Sequence, residues 1–329
     1  MRFHALLPVR DEADIIEQCL SHLLSWADSI YVFDTGSVDN TWEIVQGIAD
    51  RDSRVRPLEK RAVYYSEGKL RGYLFHHARQ AMEEGDWFLR VDADEFHHIA
   101  PPTFVRQHMR PHETIAYHQY YNFELTDDIV QEWGTGARTL DDRKQPIEKR
   151  LNKYSLSRYS EPRLCRYRST MKWPVGVSFP INAGYIAKKR LPIRHYPHRD
   201  PIQLRRRCQL RAIMMDRESA KKEWSNLEDH HWTEEEWKSF VVESNSRNLR
   251  HWEPGRPLPD PRFTSHLDSL HKRALQRLVH ATLLPILDRT RDSFPNGPPP
   301  LEPIPNEVQD TLQTALTSDA LSSSFPTHL

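Results

Sequence analysis

Cysteine is nearly absent from this chain: Cys19, Cys165 and Cys208 stand far apart among 329 residues. With no Cys-x-x-Cys pair and no closely spaced set, a disulfide framework and a structural zinc site are excluded, and a reduced, cytoplasmic setting is the simplest expectation. Net charge is lacking too, because 46 basic and 46 acidic residues cancel. That balance offers no global attraction to nucleic acid or to an anionic membrane, so any recognition of phosphate has to be local. Long apolar runs are missing. The first one, from Phe3, is broken by Pro8, Arg10, Asp11 and Glu12 well short of a signal peptide or membrane span, and a soluble protein without a transmembrane segment is expected. Glycine is scarce, 11 in all, and none follows the first apolar run closely, which excludes a glycine-rich phosphate loop there.

What is present is alternation. Phe3 to Val9 reads as a strand, and Ala13 to Trp26 as a helix, with Ile15, Ile16, Cys19, Leu20, Leu23 and Leu24 at helical spacing. Ser29 to Phe33 is a second strand ending at Asp34-Thr35-Gly36-Ser37, and Val38 to Ala49 a second helix. A strand around Val55 to Leu58, a helix around Leu70 to Glu84 and a strand over Trp87 to Val91 continue the pattern. Such repetition predicts an α/β fold with a mostly parallel sheet flanked by helices, whose ligands sit beyond the carboxyl ends of the strands. Glu12, Asp34 and Asp92 each follow a predicted strand, so three acidic loops are expected on one rim.

The last of these loops carries the sharpest signal, Val91-Asp92-Ala93-Asp94-Glu95. Side chains alternate along a strand, so Asp92 and Asp94 share a side if the extended geometry persists. Paired carboxylates repel unless a cation lies between them, and Mg²⁺ or Mn²⁺ commonly keeps one or two protein carboxylates when it holds a diphosphate. The same triplet also serves as a loop start or helix N-cap.

These pieces together resemble the family 2-like nucleotide-sugar glycosyltransferases of GT-A fold. The resemblance is carried by Leu7-Pro8-Val9-Arg10-Asp11-Glu12-Ala13, by Val32 to Thr41, by Ala78-Arg79-Gln80 with Gly85-Asp86-Trp87, and by Val91 to Glu95. It covers the first hundred residues well and the remainder loosely, through Pro162-Arg163-Leu164 and the segment around His195. Asp11 and Gln80 stand where such proteins commonly have Asn. The resemblance implies sugar transfer from a nucleoside diphosphate sugar to the hydroxyl of an unidentified carbohydrate, lipid-linked or protein acceptor, with inversion and with a divalent cation as cofactor. It places the donor against Pro8, Arg10, Glu12, Asp34, Gly36, Asp39, Asp92 and Ala93, with Lys69, Arg71 and Arg79 as candidate cations for the diphosphate. Asp92 and Asp94 are the expected metal ligands, with His195 and His198, in Arg-His-Tyr-Pro-His-Arg, as further ones. Glu161, Asp127 and Asp128 lie in the acceptor half and are the candidates for general base, although each is also an ordinary turn or surface acid.

Residues 1–100 thus read as the nucleotide-sugar-binding half of a GT-A domain, 101–200 as its acceptor half, 201–292 as a helical C-terminal extension and 293–329 as a proline-rich linker with a loosely held tail. Arg205, Arg206, Arg207 and Arg211 on the first extension helix could grip phosphates, but a basic helix face is ordinarily solvated. Peripheral membrane contact through the extension is left open. Three other readings compete: a nucleotidyltransferase, for which the first loop lacks glycines; a metal-dependent phosphohydrolase, for which His and Asp are not clustered; and a catalytically degenerate nucleotide-sugar-binding or scaffold protein.

Overall fold

Strands that are apolar at every position need cover on both faces. In the computed structural model, which describes residues 1–175, 177–180, 183–214, 234–259, 274, 278 and 297–317, β1 (Phe3–Val9), β2 (Ser29–Asp34) and β4 (Trp87–Arg90) are buried throughout, while β3 (Val55–Lys60) forms the sheet edge. Alternation sorts their side chains into two cores. Ala5, Leu7, Val9, Ile30 and Val32 pack with α1 (Ile16–Leu24) and α2 (Thr41–Ala49), whereas Leu6, Tyr31 and Phe33 pack with Leu70, Leu74 and Phe75 of α3 (Glu67–Ala78). The order β3-β2-β1-β4 is parallel throughout, as expected from the repeated units.

The second half extends this sheet. β5 (Glu95–His97) follows the acidic turn, and β6 (Glu113–Phe123), β7 (Lys153–Leu156) and β8 (Pro162–Arg166) add antiparallel neighbours, with β8 joining β6 to β4. β9 (Tyr185–Ile186) and β11 (Arg250–His251) are two-residue edges. β10 (Leu191–His195) runs parallel to β6 and antiparallel to β5, and its register sets His195 beside both Asn122 and Glu95. Short helices α4 (Pro101–His108), α5 (Asp127–Gly134) and α6 (Ile147–Arg150) connect these strands. Because β6 and β10 point the same way as β1, β2 and β4, their carboxyl ends share one rim.

Three expectations change. The extended chain ends at Arg90, so Asp92 and Asp94 lie in a turn and face different partners. The segment from Trp173 to Pro180 reads from its sequence as a further short strand, but none forms among its described residues; Trp173 packs instead on Phe75, Phe88 and Phe179. Residues 301–317, read as linker and tail, are docked. Tyr64 N donates to Glu302 O at 2.9 Å and Ile304 N to Ala62 O at 3.0 Å, and α8 (Asn306–Thr317) joins Tyr64 and Leu312 in a third apolar cluster with Leu210 of α7 (Pro201–Met214). The helical pattern expected from Ser265 to Ile286 lies outside the described residues apart from positions 274 and 278, as do the continuation of α7 beyond 214 and the final residues from 318. Among the described residues no helix is long and apolar enough to cross a membrane.

Gly36 shows what the loop after β2 requires. Its φ is +102°, and a Cβ there would lie 2.7 Å from the Ala62 Cα, so the glycine permits close approach of the chain after β3. Gly36→Ala is expected to destabilise the fold by about 2 kcal/mol or more, from left-handed strain plus the contact, as a lowered urea midpoint at unchanged m-value.

Candidate active site

The rim encloses a cavity of about 510 Å³ lined by the loops after β1, β2 and β4, by Tyr64 and Tyr65, by His195 and by one face of α7. The loop after β1 is held in place by the loop after β2. Asp11 takes a φ of +53°, a conformation that Asp and Asn tolerate best among side-chain-bearing residues. Its Oδ1 accepts from Val38 N at 2.8 Å, and its own N–H donates to Ser37 Oγ at 2.9 Å. Asp against Asn at this position therefore leaves the turn intact. Asp39 Oδ2 accepts from Ala13 N at 3.1 Å and its Oδ1 from Thr41 N at 3.0 Å, so Asp39 ties the two loops where both meet the cavity.

Arg199 locks the same loop to the opposite wall. Its guanidinium, fully buried, donates to both oxygens of Asp14 at 2.7 and 2.8 Å and to Glu12 at 2.5 Å. Burial acts upward on Asp14, but the paired guanidinium reverses it and holds the carboxyl at about 2. Burial, reinforced by Asp94 and Asp14 and opposed by Arg199, pushes Glu12 up to about 8. The next residue, Asp200, accepts from Arg143 at 2.7 and 3.0 Å and from Arg150 at 3.1 Å.

Asp92 and Asp94 divide their work. Asp92 pairs with the buried Arg71, which also donates to Leu6 O at 3.1 Å and Val91 O at 2.8 Å, and lies 3.2 Å from Arg163. Burial acts upward on Asp92, but Arg71, Arg163 and Arg90 hold its carboxyl well below the usual range. Beside it, burial raises Glu95 to about 8 although Glu95 accepts from Arg163 at 2.7 Å. Asp94, 6% exposed at its side chain, lines the same cavity with different partners, its Oδ2 3.7 Å from His195 Nε2 and 3.4 Å from Arg207 Nη1. His195 Nδ1 bonds Asn122 Oδ1 at 2.9 Å, which makes Nδ1 the protonated nitrogen and turns the Nε2 lone pair toward Asp94. Burial holds this imidazole below its usual pKa, hence neutral.

Of the residues expected from sequence, Pro8, Arg10, Glu12, Asp39, Asp92, Ala93, Asp94 and His195 line the cavity together. Others are placed elsewhere. Asp34 is fully buried and its Oδ1 accepts from Gly36 N at 2.8 Å and Ser37 N at 2.6 Å, shaping the turn. Gly36 serves the approach of Ala62, and Ser37 Oγ accepts from Asp11 N. Arg71 neutralises Asp92 from beneath, Lys69 lies on α3 outside the cavity lining, and Arg79 donates to Ser169 O at 3.3 Å at the exposed end of α3. His198 packs its ring 5.0 Å from Phe240. The three base candidates are already engaged: Glu161 with Arg90 at 3.4 Å, Arg163 at 3.1 Å and Tyr159 at 2.9 Å, Asp127 with Ser244 N at 2.8 Å, and Asp128 with Lys153 at 2.7 Å. None lines the cavity. Conversely, Arg206, Arg207 and Arg211, read as a solvated face, do line it, as do Tyr64, Tyr65 and Asp14. The basic run itself was the signal for the first three; nothing in the sequence distinguished the others.

A parallel sheet whose strand-end loops close on a cavity lined by carboxylates and guanidiniums defines a nucleotide-binding α/β protein of the GT-A class. Residues 5–159 match the family described as Glycosyl transferase family 2, and that segment is a family 2-like glycosyltransferase domain. No curated protein matches the chain. Among solved structures, a mannosyltransferase from Pyrobaculum calidifontis in complex with GDP-Man and Mn²⁺ is similar at 12% identity and a TM-score of 0.38, over 89% of this chain and 73% of that one. A glucosyl-3-phosphoglycerate synthase from Mycobacterium tuberculosis, in complex with phosphoglyceric acid, aligns at 16% identity and a TM-score of 0.23 over 50% of this chain and 56% of that one. A CTP:phosphocholine cytidylyltransferase from Streptococcus pneumoniae aligns at 11% identity and a TM-score of 0.25, over 85% of this chain and all of the other.

Removing the Arg199 guanidinium leaves the buried Asp14 carboxylate without its paired counter-ion and Glu12 without its donor. Arg199→Met is expected to cost about 3–5 kcal/mol, read as a lowered urea midpoint. The depressed Asp14 contributes stability that is complete above the ordinary carboxylate pKa and is lost as pH falls toward about 2. That acid-side loss should be smaller in Arg199→Met than in the wild type.

Proposed function

We propose that the protein transfers a sugar from a nucleoside diphosphate sugar to an acceptor hydroxyl, using a divalent cation held by Asp94 and His195. The observation that carries this reading is the pair of facing ligand atoms, Asp94 Oδ2 and His195 Nε2, 3.7 Å apart at the cavity wall, with the imidazole tautomer fixed by Asn122. Among the described residues no group of three or more His, Cys, Asp or Glu side chains could hold a metal ion. A two-ligand set suits Mn²⁺ or Mg²⁺, which fill the rest of their shell with water and diphosphate oxygens. When bound, such an ion offsets the charge that develops on a departing diphosphate.

The chain's own groups supply the remaining elements. Pro8, Arg10, Glu12 and Asp39 form the wall for the nucleoside, and Tyr64 and Tyr65 supply aromatic surface opposite. Asp92, neutralised by Arg71 and Arg163, keeps the floor of the site fixed without adding net negative charge. Inversion at the anomeric carbon belongs to the same proposal and is supported by the family resemblance; nuclear magnetic resonance of the first product anomer tests it. A cytoplasmic setting belongs to the same proposal and is supported by the low cysteine content, three residues that are all buried.

One observation favours a second reading. Because Glu161, Asp127 and Asp128 hold other partners away from the cavity, a nucleotide-sugar-binding protein without turnover fits the same geometry. Donor consumption separates the two: binding with neither transfer nor hydrolysis of any donor supports the second.

Asp94→Asn is expected to abolish metal-dependent binding while leaving the unliganded melting temperature within a degree or two. A native-state ligand at a hundredfold excess over its Kd adds about 2.7 kcal/mol, a shift on the order of 5 °C at this chain length. Such a shift with UDP or GDP plus Mn²⁺ should appear in the wild type and vanish in Asp94→Asn; an equal shift in both sinks the Asp94 site.

A further inference from the structure

One stripe of α7 points into the cavity. Gln203, Arg206, Arg207, Leu210 and Arg211 follow at three- and four-residue steps and line it together. Leu210 seats the stripe on the cluster around Tyr64 and Leu312, so these arginines ride on a docked helix. Positive charge is dense there: Arg211 is pushed down to about 9, first by burial and next by Arg207.

Arg207 stands out by its contacts. Its Nη1 donates to Pro197 O at 2.8 Å and lies 3.4 Å from Asp94 Oδ2. That is the oxygen His195 Nε2 approaches at 3.7 Å. Arg207 therefore holds the carboxylate oxygen that a cation between Asp94 and His195 would need. A guanidinium and a divalent ion on one oxygen repel each other, so entry of the ion must move the guanidinium. A suitable anion for a displaced Arg207 is the diphosphate that enters with the ion, because Arg presents planar, paired donors to phosphate oxygens.

We propose that Arg207 is the resident counter-ion of Asp94, that it leaves this carboxylate when a divalent cation and a nucleoside diphosphate enter together, and that it then binds the diphosphate beside Arg206 and Arg211. The inference rests on the reading that Asp94 and His195 hold the cation. It makes the two ligands interdependent. The cation alone must displace a guanidinium that has no phosphate to receive it, and the nucleotide alone meets an arginine still engaged by Asp94. By linkage each ligand then strengthens the other equally.

The test uses the full chain as wild type, Arg207→Gln, Arg207→Lys and Asp94→Asn. Mn²⁺ binding without nucleotide is read by electron paramagnetic resonance of the free ion, and UDP and GDP binding by calorimetry with and without Mn²⁺. Arg207→Gln is expected to bind Mn²⁺ alone about five- to tenfold more tightly, within the usual span of coupling between sites. It should bind the nucleotide with Mn²⁺ about tenfold more weakly, having lost a charge-assisted hydrogen bond. Arg207→Lys keeps the charge near Asp94 and is expected to match the wild type for Mn²⁺ alone while still losing nucleotide affinity. Unchanged or weaker binding of Mn²⁺ alone by Arg207→Gln overturns the proposal. Should that variant not fold, wild-type nucleotide affinity in Arg207→Lys overturns it. Mn²⁺ bound by the wild type and lost in Asp94→Asn, with Arg207→Gln indistinguishable from the wild type, removes the Arg207 role and leaves the metal reading standing. No Mn²⁺ binding by the wild type with either nucleotide removes both.

Discussion

The contact of buried Arg199 with Asp14, an ion pair, and with Glu12, a hydrogen bond, is the constraint on which the cavity depends. It joins residues 185 positions apart in sequence, linking the turn that opens the first helix to the turn that opens α7. Two walls of the cavity are attached to those turns: Pro8 to Asp14 on one side, His195 and the arginine stripe on the other. The pair is too deeply buried to be cheap, since taking a guanidinium and a carboxylate out of water costs several kcal/mol per ion before their attraction offsets it. What it contributes is position. Two loops, each also tied to its own neighbours, are held to one another at hydrogen-bonding distance from a common rigid fork.

A second buried arrangement explains why two aspartates one residue apart behave so differently. Asp92 points down toward Arg71 and Arg163, where its charge is spent on structure. Asp94 points across the cavity toward His195. The turn after Arg90 makes this split, because an extended chain would have put both on one side. Pairing Asp92 with Arg71 and Arg163 from below leaves Asp94 as the aspartate of this turn that meets His195 and Arg207.

Much of the first hundred residues was legible. β1, β2 and β4 are short apolar runs that stop at acidic or polar residues, and full burial followed from the lack of alternation within them. The loops rich in Asp, Glu, Pro and Gly then fell on one rim. Arg71, Arg79 and Lys69 were harder, because an arginine that neutralises a carboxylate and one that binds phosphate have the same composition and differ only in depth. The α7 stripe was misread for the converse reason: a basic helix face looks solvated until the distant loop that covers it is known. Asp34 and Gly36 illustrate a milder form, since the same residues that permit close approach of a ligand serve here to close a turn against Ala62. The acceptor side stayed illegible, as Glu161, Asp127 and Asp128 were chosen by residue type and each proved to hold a local partner.

The pairing of residues 62–64 with 302–304 has a consequence for how the molecule is made. The chain is synthesised from its amino end, and the parallel sheet, α1 to α3 and the acidic turn can assemble from the first hundred residues as they emerge. Tyr64, however, borrows its backing from Ile304 and Leu312, and its backbone N–H is satisfied by Glu302. The aromatic wall of the cavity therefore sets only after residues 302 to 312 have left the ribosome. A nascent chain or a prematurely terminated one carries every acidic loop of the site yet lacks the support for one side of it.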